Sequence, residues 1–210
     1  MTKETDLKIK DKIAASNRIL IVSHVRPDAD AAGSVLGLGL ALQQAGKEVQ
    51  MVLQDGASKF EYLPGSNQIV RKADGTFDMV IVVDCSDPAR VGDALNGYGA
   101  PDLVVDHHKT NLNFGAFNVV EPEQVATAAI LYDHIPDWGL AFNEASANAL
   151  LSGLVGDTIG FRTSNVDSSV MRRAAALMDL GADLAHIYRE ELVLKSYKAE
   201  IGRASCRERV

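Results

Sequence analysis

Residues 18–46 read RILIVSHVRPDADAAGSVLGLGLALQQAG, and this stretch decides the fold class. Its opening run, RILIVSH (18–24), is apolar without alternation, the mark of a strand buried on both faces. From Ala31 the chain turns to small and apolar residues at helical length, and Gly46 supplies a stop signal. A buried strand running straight into a closely packed helix is the first half of a βαβ unit. Between the two stand His24, Asp28 and Asp30. Acids grouped where a buried strand ends are costly unless a cation neutralises them.

The pattern recurs downstream. EVQMVLQD (48–55), FDMVIVVDCSD (77–87) and PDLVVDHH (101–108) read as further strands. YLPGSNQI (62–69) reads as a turn-rich connection and PARVGDAL (88–95) as a short helix. Helices are expected over 122–135, 143–155, 167–180 and 183–199. The fold class is therefore α/β, a mostly parallel sheet flanked by helices.

With 210 residues the chain can bury a substantial core. Its composition, 47% apolar and 23% charged, is that of an ordinary globular protein. The apolar runs are too short for a transmembrane helix, so no membrane partner is expected. The N-terminal MTKETDLKIKDK lacks the apolar centre of a secretory signal, which makes a cytoplasmic location the expectation. A net charge of −7 argues against a protein that coats long duplex nucleic acid, though not against a small anionic substrate. Two cysteines give no disulfide framework; Cys85 reads as a small core residue.

Three strand ends carry the chemistry: His24 with Asp28 and Asp30, then Asp84, then Asp106 with His107 and His108. The C-terminal edge of a parallel sheet is where ligands bind, so these segments can converge across the sequence. Asp157, flanked by glycines in GLVGDTIGF, is a fourth acid at a close backbone approach. Singly, each has a plainer reading: Asp28 and Asp30 as turn and N-cap, Asp84 and Asp157 as caps, the two histidines as one core and one surface residue. Together at one edge they favour a site for hard or borderline cations, Mn²⁺ or Mg²⁺, with enough acids for a pair of ions.

HVRPDADAAGS (24–34), VVDCSDPARVG (82–92), VVDHHKTN (104–111) and GLVGDTIGFRTSN (153–165) resemble, in order, the four motifs of the DHH phosphoesterase superfamily. The wording is most similar to its bacterial nano-RNase/pAp phosphatase branch, and the resemblance runs from Arg18 to Ser196. It implies two Mn²⁺ ions, with Mg²⁺ as the alternative. His24, Asp28 and Asp84 would hold one; Asp30, Asp84, His107 and Asp157 would hold the other, with Asp84 bridging. His108, Asp84 and Asp106 would be the catalytic group, His108 facing the scissile phosphate and Asp106 orienting the histidines. Arg162 and Arg90 are the candidates for phosphate contact. For each the plainer reading is a solvated arginine, and for Arg90 it is the preferred one.

The resemblance implies a hydrolase acting on short oligoribonucleotides and 3′-phosphoadenosine 5′-phosphate (pAp). The alternatives are a linear dinucleotide phosphodiesterase of cyclic-dinucleotide turnover and a non-catalytic nucleotide-binding module. A homodimer stays open. Residues 1–190 are expected to form the DHH catalytic domain and 191–200 the start of an interdomain linker helix. The branch's second, DHHA1-type substrate-binding domain is expected to be absent. The final IGRASCRERV (201–210) resembles a translated sequencing adapter, and a non-native tail is expected there.

Overall fold

The computed structural model describes residues 3–194. Six strands form one sheet in the order β3-β2-β1-β4-β5-β6: β1 (Arg18–Val22), β2 (Glu48–Val52), β3 (Ile69–Val70), β4 (Met79–Val83), β5 (Leu103–Asp106) and β6 (Phe117–Val120). Every pairing is parallel, with Ile21 opposite Met51 on one side and Ile81 on the other. The helices are α1 (Lys3–Ala15), α2 (Ala29–Gln44), α3 (Thr127–His134), α4 (Glu144–Asp157), α5 (Ser168–Asp179) and α6 (Leu184–Tyr188).

The two faces of the sheet are covered differently. Ile19, Ile21, Met79, Ile81, Val83 and Val105 belong to a core cluster shared with side chains from all six helices. Leu20, Val22, Val80, Val82 and Val104 point the other way, into a smaller cluster closed by Ala73, Val91 and Ala94 from the connections. PARVGDAL, expected as a helix, is two 3₁₀ turns joined across Gly92 at φ 68°, and it covers this second face. YLPGSNQI also proves to be a turn-rich connection: one 3₁₀ turn, Ser66–Gln68, leads into the short β3, and another, Ser58–Phe60, precedes the stretch.

α2 is buried from Ala29 to Leu42, which its apolar circumference requires. It crosses α4 so closely that a Cβ on Gly33 would stand 2.4 Å from the Ala149 carbonyl oxygen. α4 begins in a capping box between Asn143 and Ser146, and α5 begins on Asp167. Beyond α6 the chain continues as a π-helix over Arg189–Leu194, and this covers the first part of the expected linker helix. The rest of that linker and the expected tail lie outside the described residues. Among the described residues no helix is long and apolar enough to cross a membrane.

The sequence left three elements unassigned. α1 is a polar helix with only Asp6, Ile9 and Ile13 buried, so its apolar signal is thin. β3 and β6 are short edge strands, four residues or fewer, without a long apolar run.

Candidate metal centre

The order of the strands locates the site. From β1 the chain builds outward through β2 and β3, then returns to build β4, β5 and β6 on the other side. Such a reversal opens a crevice at the C-terminal ends of the two central strands. His24 follows β1, Asp84 follows β4, and Asp106 ends β5. Asp84 adopts φ 53°, a left-handed conformation an aspartate tolerates better than most residues, and this turns the chain sharply at the strand end.

Each candidate is held by its own element. Asp28 caps α2: its Oδ1 accepts from the backbone N–H of Asp30 and Ala31 at 3.1 and 3.0 Å. Asp30, in the first turn of α2, is fully buried. It caps a different helix, accepting from the Thr127 and Ala128 backbone N–H of α3 at 2.6 and 2.9 Å. Asp157 is the last residue of α4 rather than lying beyond it. Close packing of α2 on α4 therefore sets the separation of Asp30 and Asp157.

Across the crevice, His24 Nε2 lies 3.5 Å from Asp84 Oδ2, while His107 Nε2 lies 3.8 Å from Asp84 Oδ1. His107 Nε2 is also 3.2 Å from Asp157 Oδ2 and 4.0 Å from Asp30 Oδ2. Two sets at the crevice, His24–Asp28–Asp84 and Asp30–His107–Asp157, share no residue and each has its donor atoms within 4.8 Å of one another; a third, Asp84–His107–His108, draws on both and adds His108. Donors that share one divalent cation at about 2.1 Å stand roughly 3–4 Å apart, which is the spacing found here. The two oxygens of Asp84 face opposite sets.

Electrostatics make the same demand. Burial, with the charges of Asp84 and Asp157, pushes the Asp30 carboxyl well above the ordinary carboxylate range. Burial and the charges of Asp84 and Asp28 push Asp157 up to about 8. Asp84 is equally buried, yet its His24 hydrogen bond and the charges of His107 and His108 hold it below the ordinary value. Burial opposes the charged form of His24, but its bond to Asp84 prevails and raises it. An all-oxygen and imidazole donor set this crowded with buried carboxylates fits hard or borderline divalent cations.

Asp106 stands behind the histidines. Its Oδ1 accepts from His108 Nδ1 at 2.7 Å and its Oδ2 from Asn111 Nδ2 at 2.6 Å. The Asp106 bond raises His108, whose ring is about one-third exposed at the crevice. Arg90 is exposed on the loop after β4, and its carbonyl accepts from Val25 N–H at 2.8 Å. The Arg162 Nε donates to Ile159 O at 2.7 Å, which fixes its stem within the loop that follows Asp157. Neither arginine joins the two donor sets. Cys85 is buried, with its thiol pushed up to about 11 by that burial.

Two supporting residues escaped the sequence reading. Thr127 holds Asp30 through its N–H and Asp84 through its hydroxyl, at 3.0 Å for the latter. Nothing local in VATAAI marks it, because its partners lie 97 and 43 residues upstream. Asn111 closes the VVDHHKTN motif and could have been suspected from that position alone.

Comparison with known proteins agrees with this arrangement. Residues 18–154 match the DHH family, N-terminal domain. The chain is 35% identical over 179 residues to the bifunctional oligoribonuclease and PAP phosphatase NrnA of Thermus thermophilus, covering 83% of this chain and 53% of the relative. It is 29% identical to a probable manganese-dependent inorganic pyrophosphatase of Lactococcus lactis, covering 88% and 61%. The chain thus spans about half the length of the first of these relatives. An exopolyphosphatase-related protein from Bacteroides fragilis shares the fold with a TM-score of 0.79 at 21% identity, over 90% of this chain and 60% of that one. A match running from β1 through most of α4, and so through all the strands whose ends meet at the crevice, makes this chain a member of the DHH family.

Proposed function

We propose that the chain carries the catalytic site of a two-metal phosphoesterase that hydrolyses short oligoribonucleotides and pAp. One observation supports it most: the two Asp84 oxygens face two separate donor sets, the arrangement a carboxylate bridging two ions requires. The name of the Thermus thermophilus relative supports the substrate class, and that of the Lactococcus lactis relative supports manganese.

His24, Asp28 and Asp84 would hold one Mn²⁺, and Asp30, Asp84, His107 and Asp157 the other, with Mg²⁺ as the alternative. When bound, the ions would neutralise the carboxylates, stabilise charge on the phosphoryl oxygens and make a bound water more acidic. The rest belongs to the chain. Asp106 accepts from Nδ1 of His108 and favours its protonated form, so Nε2 carries a proton to donate toward a phosphoryl or leaving oxygen. Arg162 sits on the loop that follows Asp157, where its guanidinium group would reach a non-reacting phosphate, while the exposed Arg90 keeps the reading of a solvated arginine.

The test is turnover of a diribonucleotide and of pAp by the purified 210-residue chain with and without Mn²⁺. The expected result is Mn²⁺-dependent release of nucleoside monophosphate and phosphate. Asp84→Asn is expected to lower both activities by more than about a hundredfold, above the range for residues that only support a ligand. Full activity in that variant would overturn the proposal.

A further inference from the structure

A second cavity, of about 530 Å³, opens on the loop-covered side of the sheet. We infer that it binds one ribonucleoside monophosphate unit, an assignment of ligand class that rests on the phosphoesterase reading above. Its walls are Gln54 beyond β2, Arg71 and Lys72 beyond β3, and Asp93 and Tyr98 from the connection after β4. Small buried side chains, Ala73 and Ala94, lie at its base and leave the room. The volume falls in the range of small-molecule sites, roughly 300–1,000 Å³.

The walls supply the three kinds of contact a ribonucleotide needs. Arg71 and Lys72 are adjacent exposed cations in a chain of net charge −7, and among the described residues neither has an ion-pair partner. The Arg71 guanidinium packs on bare backbone: a Cβ on Gly56 would stand 2.9 Å from its Nε. That contact positions it, and paired cations of this kind suit a phosphate. Tyr98 meets Phe77 edge-on at 5.4 Å between ring centres, which braces it as a surface for a base. Asp93 accepts from Asn96 through Oδ1 at 2.9 Å and keeps Oδ2 to accept from a ribose hydroxyl. A bare polyphosphate would leave Tyr98 unused and would meet Asp93 as a like charge.

One connection links the cavity wall to the backbone beside the metal centre. Gln54 Oε1 accepts from Asp93 N–H at 2.7 Å. Three residues earlier in that connection, Arg90 binds the backbone of Val25, the neighbour of His24. The nucleotide could reach the cavity as the trailing unit of a short substrate or as a free monophosphate; the chemistry recognised is the same.

The experiment titrates the 210-residue chain with AMP in EDTA, so that no cation anchors phosphate at the crevice, and follows binding by NMR. Wild type is expected to bind, with weaker binding of 2′-deoxy-AMP. Arg71→Ala with Lys72→Ala, and separately Lys72→Glu, are expected to weaken AMP binding at least tenfold while the melting temperature holds. Absence of AMP binding in wild type, or equal binding in the variants, would overturn the inference. Turnover with Mn²⁺ then separates the sources. A roughly tenfold fall in the ratio of kcat/KM for triribonucleotide over diribonucleotide in the variants assigns the cavity to the trailing substrate unit. An unchanged ratio with AMP binding lost assigns it to a free monophosphate. If wild type turns over no oligonucleotide at all, the phosphoesterase reading fails, and the AMP titration still decides the cavity.

Discussion

Asp106 shows how much one buried carboxylate can fix. It is fully buried and spends both oxygens on His108 and Asn111. Asp106→Asn would leave His108 without its anionic acceptor, so the imidazolium loses its stabilisation. Turnover is expected to fall about 10–100-fold with Mn²⁺ content unchanged. Because Asp106 raises His108, its loss should also move the alkaline limb of the kcat–pH profile to lower pH, the direction in which a protonated donor is lost earlier. Profiles of both proteins, with metal content measured alongside, check this. His24, Asp84 and the Asp106–His108 run were legible in the sequence because each stands at the end of an apolar strand. The partnerships were less so: Asp30 is a candidate from its motif, but its role as the cap of α3, a helix about a hundred residues away, emerges only from the fold.

At the scale of elements, two contacts set the geometry. The α2–α4 crossing depends on Gly33, since an added methyl would meet backbone, which cannot swing aside. Gly33→Ala is expected to cost about 1–3 kcal/mol, read from the urea midpoint, and to weaken Mn²⁺ binding by separating Asp30 from Asp157. The second contact pins α1. His134 lies between two carboxylates, Nδ1 at 2.8 Å from Asp6 and Nε2 at 3.0 Å from Glu121, and Trp138 Nε1 also donates to Asp6. His134→Phe leaves buried acid without that partner and is expected to cost roughly 3 kcal/mol, with faster proteolysis at the α1–β1 junction. The helices with apolar length, α2 and α4, could be read from the sequence. α1 could not, because it is held by these polar contacts and two isoleucines rather than by an apolar stripe. β6 pairs only with β5, and nothing in FNVV announces that register.

For the molecule as a whole, the crowded carboxylates predict how stability responds to pH and metal. Asp157 titrates near 8 in the folded chain against an ordinary 3.8, so without cations the folded state holds a proton that the unfolded state has released. Stability from this group is complete below the ordinary carboxylate range and is lost as pH rises toward 8. At the proposed site Mn²⁺ would take the proton's place, and its stabilising effect should grow along the same interval. Melting temperatures with and without Mn²⁺ at pH 6 and pH 8 are expected to differ more at pH 8; equal shifts would contradict the coupling. The parallel class of the sheet followed from the apolar strands. The uneven covering of its two faces did not, because the connections over the second face are too short and irregular to show a period.

The all-parallel order also bears on how the chain would acquire the cations proposed above. No two neighbouring strands can be joined by a hairpin, so every pairing waits on closure of a long loop, and folding of such a topology is slow. Because the donors come from the ends of β1, β4 and β5, the start of α2 and the end of α4, a nascent chain has no pair of sites to offer until β5 is in register and α4 has docked. Capture of a second ion would thus report the docking of α4, whether or not α5 and α6 beyond it had yet settled.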